Sequence, residues 1–328
     1  MTLPYLPRLL CISLATYFLL HLALGVVVSL IASPAVRMGE RVSPQLAARC
    51  LLALRLLPAA GAAFMVATVC VPSYLWLEPE VPDERVGFSC LAAALLGILM
   101  WGVSLARGVH AMASSRRFVQ HCRQTGQLTR LAGDYAPASI DAWIVDAPAP
   151  LLALAGIFRP RLVISRGVLS TLSAEQLAVA SRHERAHWAA RDNLKRLCIM
   201  LSPGILPFAG SSLTLERGWR MFTEWAADDR AVAGHARRSV ALAAALVRLA
   251  RMTAAAPYSS LAAPLLGDTD QLLARVDRLL RATPPGQRAA RRPLLAIGAT
   301  LAMAGSLAAL LQPAALYAVH VALEHLVE

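Results

Sequence analysis

Residues 9–32, LLCISLATYFLLHLALGVVVSLIA, form a run of 24 residues without an acidic or basic charge. That exceeds the ~20 residues a helix needs to cross the hydrocarbon core and the ~7–15 of a signal-peptide core, so a retained membrane span is expected there. In lipid every backbone N–H and C=O must be satisfied within the segment, which makes the span a helix. Three more apolar runs follow at 50–77, 86–106 and 293–321. The second contains Arg55 and Pro58; the arginine is expected to reach the near interface, and neighbouring helices to accommodate the proline. Tyr74 and Trp76 mark its far interface. A chain that is 57% hydrophobic and 16% charged fits this plan of about four transmembrane helices better than it fits a soluble domain.

The net charge of +12 comes from 32 basic against 20 acidic residues, almost all of the bases being Arg. No aromatic-interleaved basic patch or nucleic-acid motif accompanies them, so no direct nucleic-acid binding is expected. They instead flank the apolar runs, where Lys and Arg set orientation. Arg37, Arg41 and Arg49 follow the first run, and Arg107, Arg116, Arg117, Arg123 and Arg130 follow the third. The loop EPEVPDER between the second and third has one arginine, whereas Arg281, Arg288, Arg291 and Arg292 precede the fourth. The expected topology puts the N-terminus outside the cell inner (plasma) membrane, residues 107–292 in the cytoplasm, and the C-terminus outside. Six cysteines without Cys-x-x-Cys spacing argue against a disulfide framework or a cysteine metal site.

Within 107–292, a basic helical linker is expected first. The runs AWIV, LLALAG and RLVIS, separated by Pro and Gly, then suit a small sheet. Ser173, with Gln176 three residues on, is a candidate capping box opening a helix that should run to about Cys198. On that helix lies HERAH, residues 183–187. Positions i and i+4 share a helix face, so His183 and His187 can offer both imidazoles to one ion. Glu184 can reach a water on that ion and take its proton. A catalytic zinc wants a third protein ligand. The candidate is Glu224 in FTEWAADDRAVAGH, with Asp228 four residues on and able to fix the tautomer of a ligating imidazole. His235 is a candidate to stabilise an oxyanion.

HERAHWAARDNL, EWAADDRAV and the preceding PRLVISRGVLSTLSAEQLAV together resemble the zinc domain of the BlaR/MecR-type membrane metallopeptidases. That family is similar to the Ste24/HtpX-type proteases. The resemblance covers most of the chain, including the four-span plan. It implies that His183, His187 and Glu224 hold one Zn2+ per chain, that Glu184 is the general base, and that Asp228 supports a ligand. Asp192 also matches a family position. The chain departs from the pattern at Ser181-Arg182, where apolar residues usually stand. No Ser-x-x-Lys motif is present, so neither an external penicillin-binding sensor domain nor direct β-lactam sensing is expected.

The sequence thus predicts an α-helical membrane protein with an inserted α+β, zincin-like cytoplasmic metallopeptidase domain. Residues 1–106 would hold three spans, 107–292 the peptidase, and 293–328 the fourth span and a short tail. The expected function is zinc-dependent endoproteolysis of a cytoplasmic or membrane-proximal protein in signalling. By resemblance the substrate is a transcriptional repressor or the chain itself, with membrane lipid as the surrounding partner. Two rivals are a non-catalytic membrane scaffold that keeps the fold, and a quality-control protease of membrane proteins. The strand-like PLLALAG segment is an expected pairing edge for an extended substrate.

Overall fold

The computed structural model describes residues 4–77, 86–131, 140–147, 149–204, 210–254, 269–281 and 321. Three of the expected spans fall on long helices. Helix α1 is Tyr5–Gly39; α2, Pro44–Met65, continues through a π-helical turn at Val66–Cys70 into α3, Val71–Leu77; and α4 is Phe88–Thr125. Each is long and apolar enough to cross a membrane, with peak mean hydropathies of 2.2, 1.9 and 2.1. The fourth apolar run, 293–321, lies outside the described residues except for its last residue, Val321. At 1.5 Å per residue the 35 to 38 residues of α1 and α4 span roughly 50–57 Å, more than the ~30 Å hydrocarbon core.

Helix α4 passes through Gly126 into a four-stranded sheet of β1 (Gln127–Leu131), β2 (Ile140–Val145), β3 (Leu152–Ala155) and β4 (Arg161–Ser165), in the order β1-β2-β4-β3. A Cβ at Gly126 would sit 2.5 Å from the carbonyl of Cys122, so the turn from helix to strand has room only for glycine. Strand β2 pairs parallel with β4, and the two outer pairings are antiparallel. The expected strands are present, but β1 corrects the sequence reading, which placed 127–131 in a helical linker. Its residues are almost all exposed, so no apolar alternation marks it; pairing with β2 makes it a strand.

Helices α5 (Arg166–Thr171), α6 (Ala174–Ala190), α7 (Asp192–Leu201), α8 (Gly210–Val232), α9 (Ala236–Ala254) and α10 (Thr269–Leu280) complete the described chain. One sheet face packs with α6, α9 and α10 through Leu162, Ile164, Leu177, Leu242, Leu246 and Leu279. The other face covers the end of α4 through Cys122, Trp143 and Val163. Helix α8 lies against α1 and α2 through Val28, Leu51, Leu215, Trp219 and Phe222. Burying each such large side chain contributes about 1.5–3 kcal/mol. Gly218 permits the approach, since a Cβ there would meet Val36 at 2.8 Å.

Arg55, expected to reach the near interface, is enclosed by protein groups. It is 2% exposed and donates to Glu216 Oε1 at 3.0 Å, Ser202 Oγ at 3.3 Å and the Pro203 carbonyl at 3.3 Å. Ser202 and Pro203 at the end of α7, together with Glu216 of α8, satisfy the guanidinium.

Candidate metal centre

Helix α6 opens as its sequence requires. Ser173 Oγ accepts from the Gln176 backbone N–H at 3.3 Å and Gln176 Oε1 accepts from the Ser173 backbone N–H at 3.1 Å, the reciprocal pair of a capping box. Two turns on, His183 is fully buried and His187 nearly so. Their Nε2 atoms stand 3.1 Å apart. Helix α8 crosses α6 and brings Glu224 to them, with Oε2 at 3.4 Å from His183 Nε2 and Oε1 at 3.6 Å from His187 Nε2. The three side chains form a group able to hold a metal ion. Two donors each ~2.1 Å from one tetrahedral ion lie ~3.4 Å apart. The observed spacings bracket that value, and two imidazoles with a carboxylate are a donor set that zinc accepts.

The expected helix to Cys198 is instead broken. Arg191 adopts a left-handed conformation, φ 55° and ψ 40°, ending α6 and starting α7. In an unbroken helix Asp192, five residues past His187, would point ~140° away from it. The break returns it: Asp192 Oδ2 lies 2.9 Å from His187 Nδ1, and Oδ1 accepts from Lys195 Nζ at 2.8 Å. On the other ligand, Asp228 Oδ1 lies 2.9 Å from His183 Nδ1. Each imidazole therefore turns one nitrogen to the shared centre and the other to a carboxylate; at His187 that contact is a hydrogen bond, which fixes tautomer and ring direction.

The sequence reading missed Arg275. This α10 side chain is 3% exposed, with Nη1 2.9 Å from Glu224 Oε2 and bidentate donation to Asp228 at 2.9 and 2.8 Å. Its signal was an arginine on the apolar face of LLARVDRLL, one turn from Leu272 and Leu279. Buried charges persist only when paired. The carboxylates of Asp192, Glu224 and Asp228 are met by Lys195 and Arg275, with Arg196 within electrostatic reach of Glu224 and Asp192.

The titration of these groups follows from the same contacts. Burial lowers the basicity of His183, but the carboxylates of Asp228 and Glu224 more than offset it, leaving its pKa above the ordinary value. Burial likewise opposes protonation of His187, yet Glu224 and Asp192 raise it to about 10 in the metal-free protein. Burial raises Glu224 and Asp228, but Arg275 and the imidazoles outweigh it and hold both carboxyls low, Glu224 well below its usual range. Glu184 is 4% exposed, and burial raises its pKa, the direction that suits a general base near neutral pH.

Two sequence features fall elsewhere. His235 is exposed in the turn after α8, where its carbonyl accepts the first helical N–H of α9 from Ser239. Among the described residues, no hydrogen bond or ion pair joins it to the cluster. Arg182 is half-buried beside Arg185 and Arg238, on a different side of α6 from the adjacent His183.

Residues 132–263 match the profile of peptidase family M48. No curated protein and no solved structure matches the chain. The matched segment carries His183, Glu184, His187 and Glu224; Arg275 lies beyond it.

Proposed function

We propose that this chain, an M48 zinc peptidase by residues 132–263 and the group His183, His187 and Glu224, is an integral-membrane endopeptidase of the BlaR/MecR type acting in regulated proteolysis. The observation that carries the reading is the three donor distances of 3.1, 3.4 and 3.6 Å, placed where α8 joins the catalytic helix to the ends of α1 and α2. Zinc, when bound, supplies a Lewis acid that lowers the pKa of a coordinated water.

The chain's own residues do the rest. Glu184 takes the proton of the attacking water and returns it to the leaving amine. Asp192 and Asp228 hold His187 and His183 in the ligating tautomer. Strand β3, at the sheet edge, pairs with an extended substrate. The Arg-rich end of α4 and the arginines after α1 support a cytoplasmic peptidase domain over 107–292, with the N-terminus outside. The substrate is then a cytoplasmic or membrane-proximal regulator, or the chain itself.

The test is zinc content of the detergent-purified protein beside His183→Ala and Glu224→Ala, followed by cleavage of peptides by native and Glu184→Gln protein. One zinc per chain, lost in both ligand variants, and peptide cleavage lost in Glu184→Gln are the expected results. Zinc binding without any cleavage that depends on Glu184 would sink the catalytic assignment. The signalling role is tested separately, by asking whether a cytoplasmic regulator accumulates intact when Glu184→Gln replaces the native chain.

A further inference from the structure

Between the β3–β4 hairpin and the α6–α7 junction lies a cavity of ≈ 360 Å³. Leu154, Ile157, Phe158, Trp188 and Leu194 supply its apolar wall, and His187, Arg191, Asp192 and Asn193 a polar one. His187 joins the cavity to the metal-binding group, whereas His183, Glu184 and Glu224 stand outside its lining. Phe158 is 72% exposed and Trp188 52% exposed, so two aromatic rings spend their apolar area on a concavity instead of a core. Water around such rings is released when an apolar group enters, and a concave apolar wall with a few fixed polar groups is the usual form of a ligand site.

The cavity is also held in shape. Asn193, at the start of α7, donates to the Gly156 carbonyl at 2.7 Å and to the Leu154 carbonyl at 3.4 Å. One amide thus ties the helix junction to the end of β3, fixing the two walls relative to each other. It also occupies outward-facing carbonyls at that end of the edge strand, so an extended chain laid along β3 pairs with its earlier part near Leu152. Asp192 in the lining is already engaged by His187 and Lys195, whereas the exposed Arg191 adds a positive charge at the rim. The lining favours apolar occupants and disfavours cationic ones.

We propose that this cavity is the side-chain specificity pocket of the peptidase, and that it takes a bulky apolar residue, aromatic or large aliphatic, next to the scissile bond. The inference rests on the peptidase reading above. Its test uses zinc-loaded full-length protein in detergent and a peptide library made by digesting unrelated denatured proteins, with the new chain ends mapped by mass spectrometry. Phe, Trp, Leu, Ile and Met should be enriched at one position flanking the cleaved bond, and Lys and Arg depleted there.

In the Phe158→Ser, Trp188→Ala double variant, the preference in kcat/KM for a Phe-bearing peptide over its Ala counterpart should fall by roughly 10-fold. Zinc content should stay native, because both side chains are exposed. Binding of the same fluorescent peptides to zinc-loaded Glu184→Gln protein should show the same loss of discrimination without turnover. Cleavage with no residue preference at either flanking position, or a preference that the double variant leaves intact, overturns the pocket while sparing the peptidase. No chain ends beyond those made by Glu184→Gln would instead remove the peptidase reading, and the pocket with it.

Discussion

Arg275 Nη1 lies 2.9 Å from Glu224 Oε2 while its other edge grips both oxygens of Asp228, so a helix outside the family match holds the third metal ligand and the partner of the first. Removing one member of a buried ion-pair network leaves uncompensated charge and costs about 3–5 kcal/mol. Arg275→Ala should therefore weaken zinc binding by roughly 10–100-fold and lower thermal stability. Arg278→Ala provides the comparison. Arg278 pairs with Asp229 at 2.7 Å and packs over Trp225, so its loss loosens α10 on α8 without touching a ligand. Chelator-competition titrations should show a large affinity loss for Arg275→Ala and a small one for Arg278→Ala. Equal losses would mean that α10 docking, not the guanidinium, is what matters.

The raised pKa of His187, about 10 without metal, gives two pH effects of definite sign. Zinc takes a neutral imidazole, so binding at pH 7 displaces a proton from His187 and affinity falls as pH falls. Calorimetry in two buffers of different ionisation enthalpy should reveal that proton release. In the metal-free protein, a histidine whose folded pKa exceeds its ordinary value of 6.5 adds stability that is complete below ~6.5 and lost as pH rises toward ~10. Relative to His187→Gln, the metal-free native protein should lose thermal stability across that window. The depressed carboxyls of Glu224, Asp228 and Asp192 act in the opposite sense: their stabilisation is present at neutral pH and lost in acid.

How far the sequence carried differs between elements for physical reasons. The helices that can cross a membrane were visible because lipid imposes a composition as well as a length. His183 and His187 were visible because a single helix supplies both, and the capping box at Ser173 announced that helix. Strand β1 was hidden because its side chains face water and only pairing with β2 defines it. The break at Arg191 was hidden too, since an arginine carries no preference for the left-handed region. Arg275 joins the centre through tertiary packing across more than forty residues of chain, a relation no local periodicity records.

Asp192 reaches His187 only because of that break, and its two oxygens divide between the imidazole and Lys195. Asp192→Asn keeps the size and removes the charge that holds His187 Nδ1. Zinc affinity should drop by roughly 10–100-fold, with helical content unchanged by circular dichroism. Lys195→Met, which leaves the Asp192–His187 contact in place, should cost less. A native affinity in Asp192→Asn would mean that the imidazole is oriented by packing alone.

Arg55 and Glu216 link a membrane helix to the helix that carries Glu224, at 3.0 Å and with the arginine 2% exposed. Glu216 sits two turns before Glu224 on α8, so this pair sets how α8 rests on α2. Arg55→Met strands a largely buried carboxylate, 14% exposed, and should destabilise the protein by about 3 kcal/mol or more. Adding Glu216→Leu removes the stranded charge and should recover most of that loss, because apolar replacements of a buried pair are often neutral. Thermal unfolding of the two single variants and the double variant in detergent checks the cycle. A double variant as unstable as the sum of the singles would show that the two side chains act independently, each through its own packing.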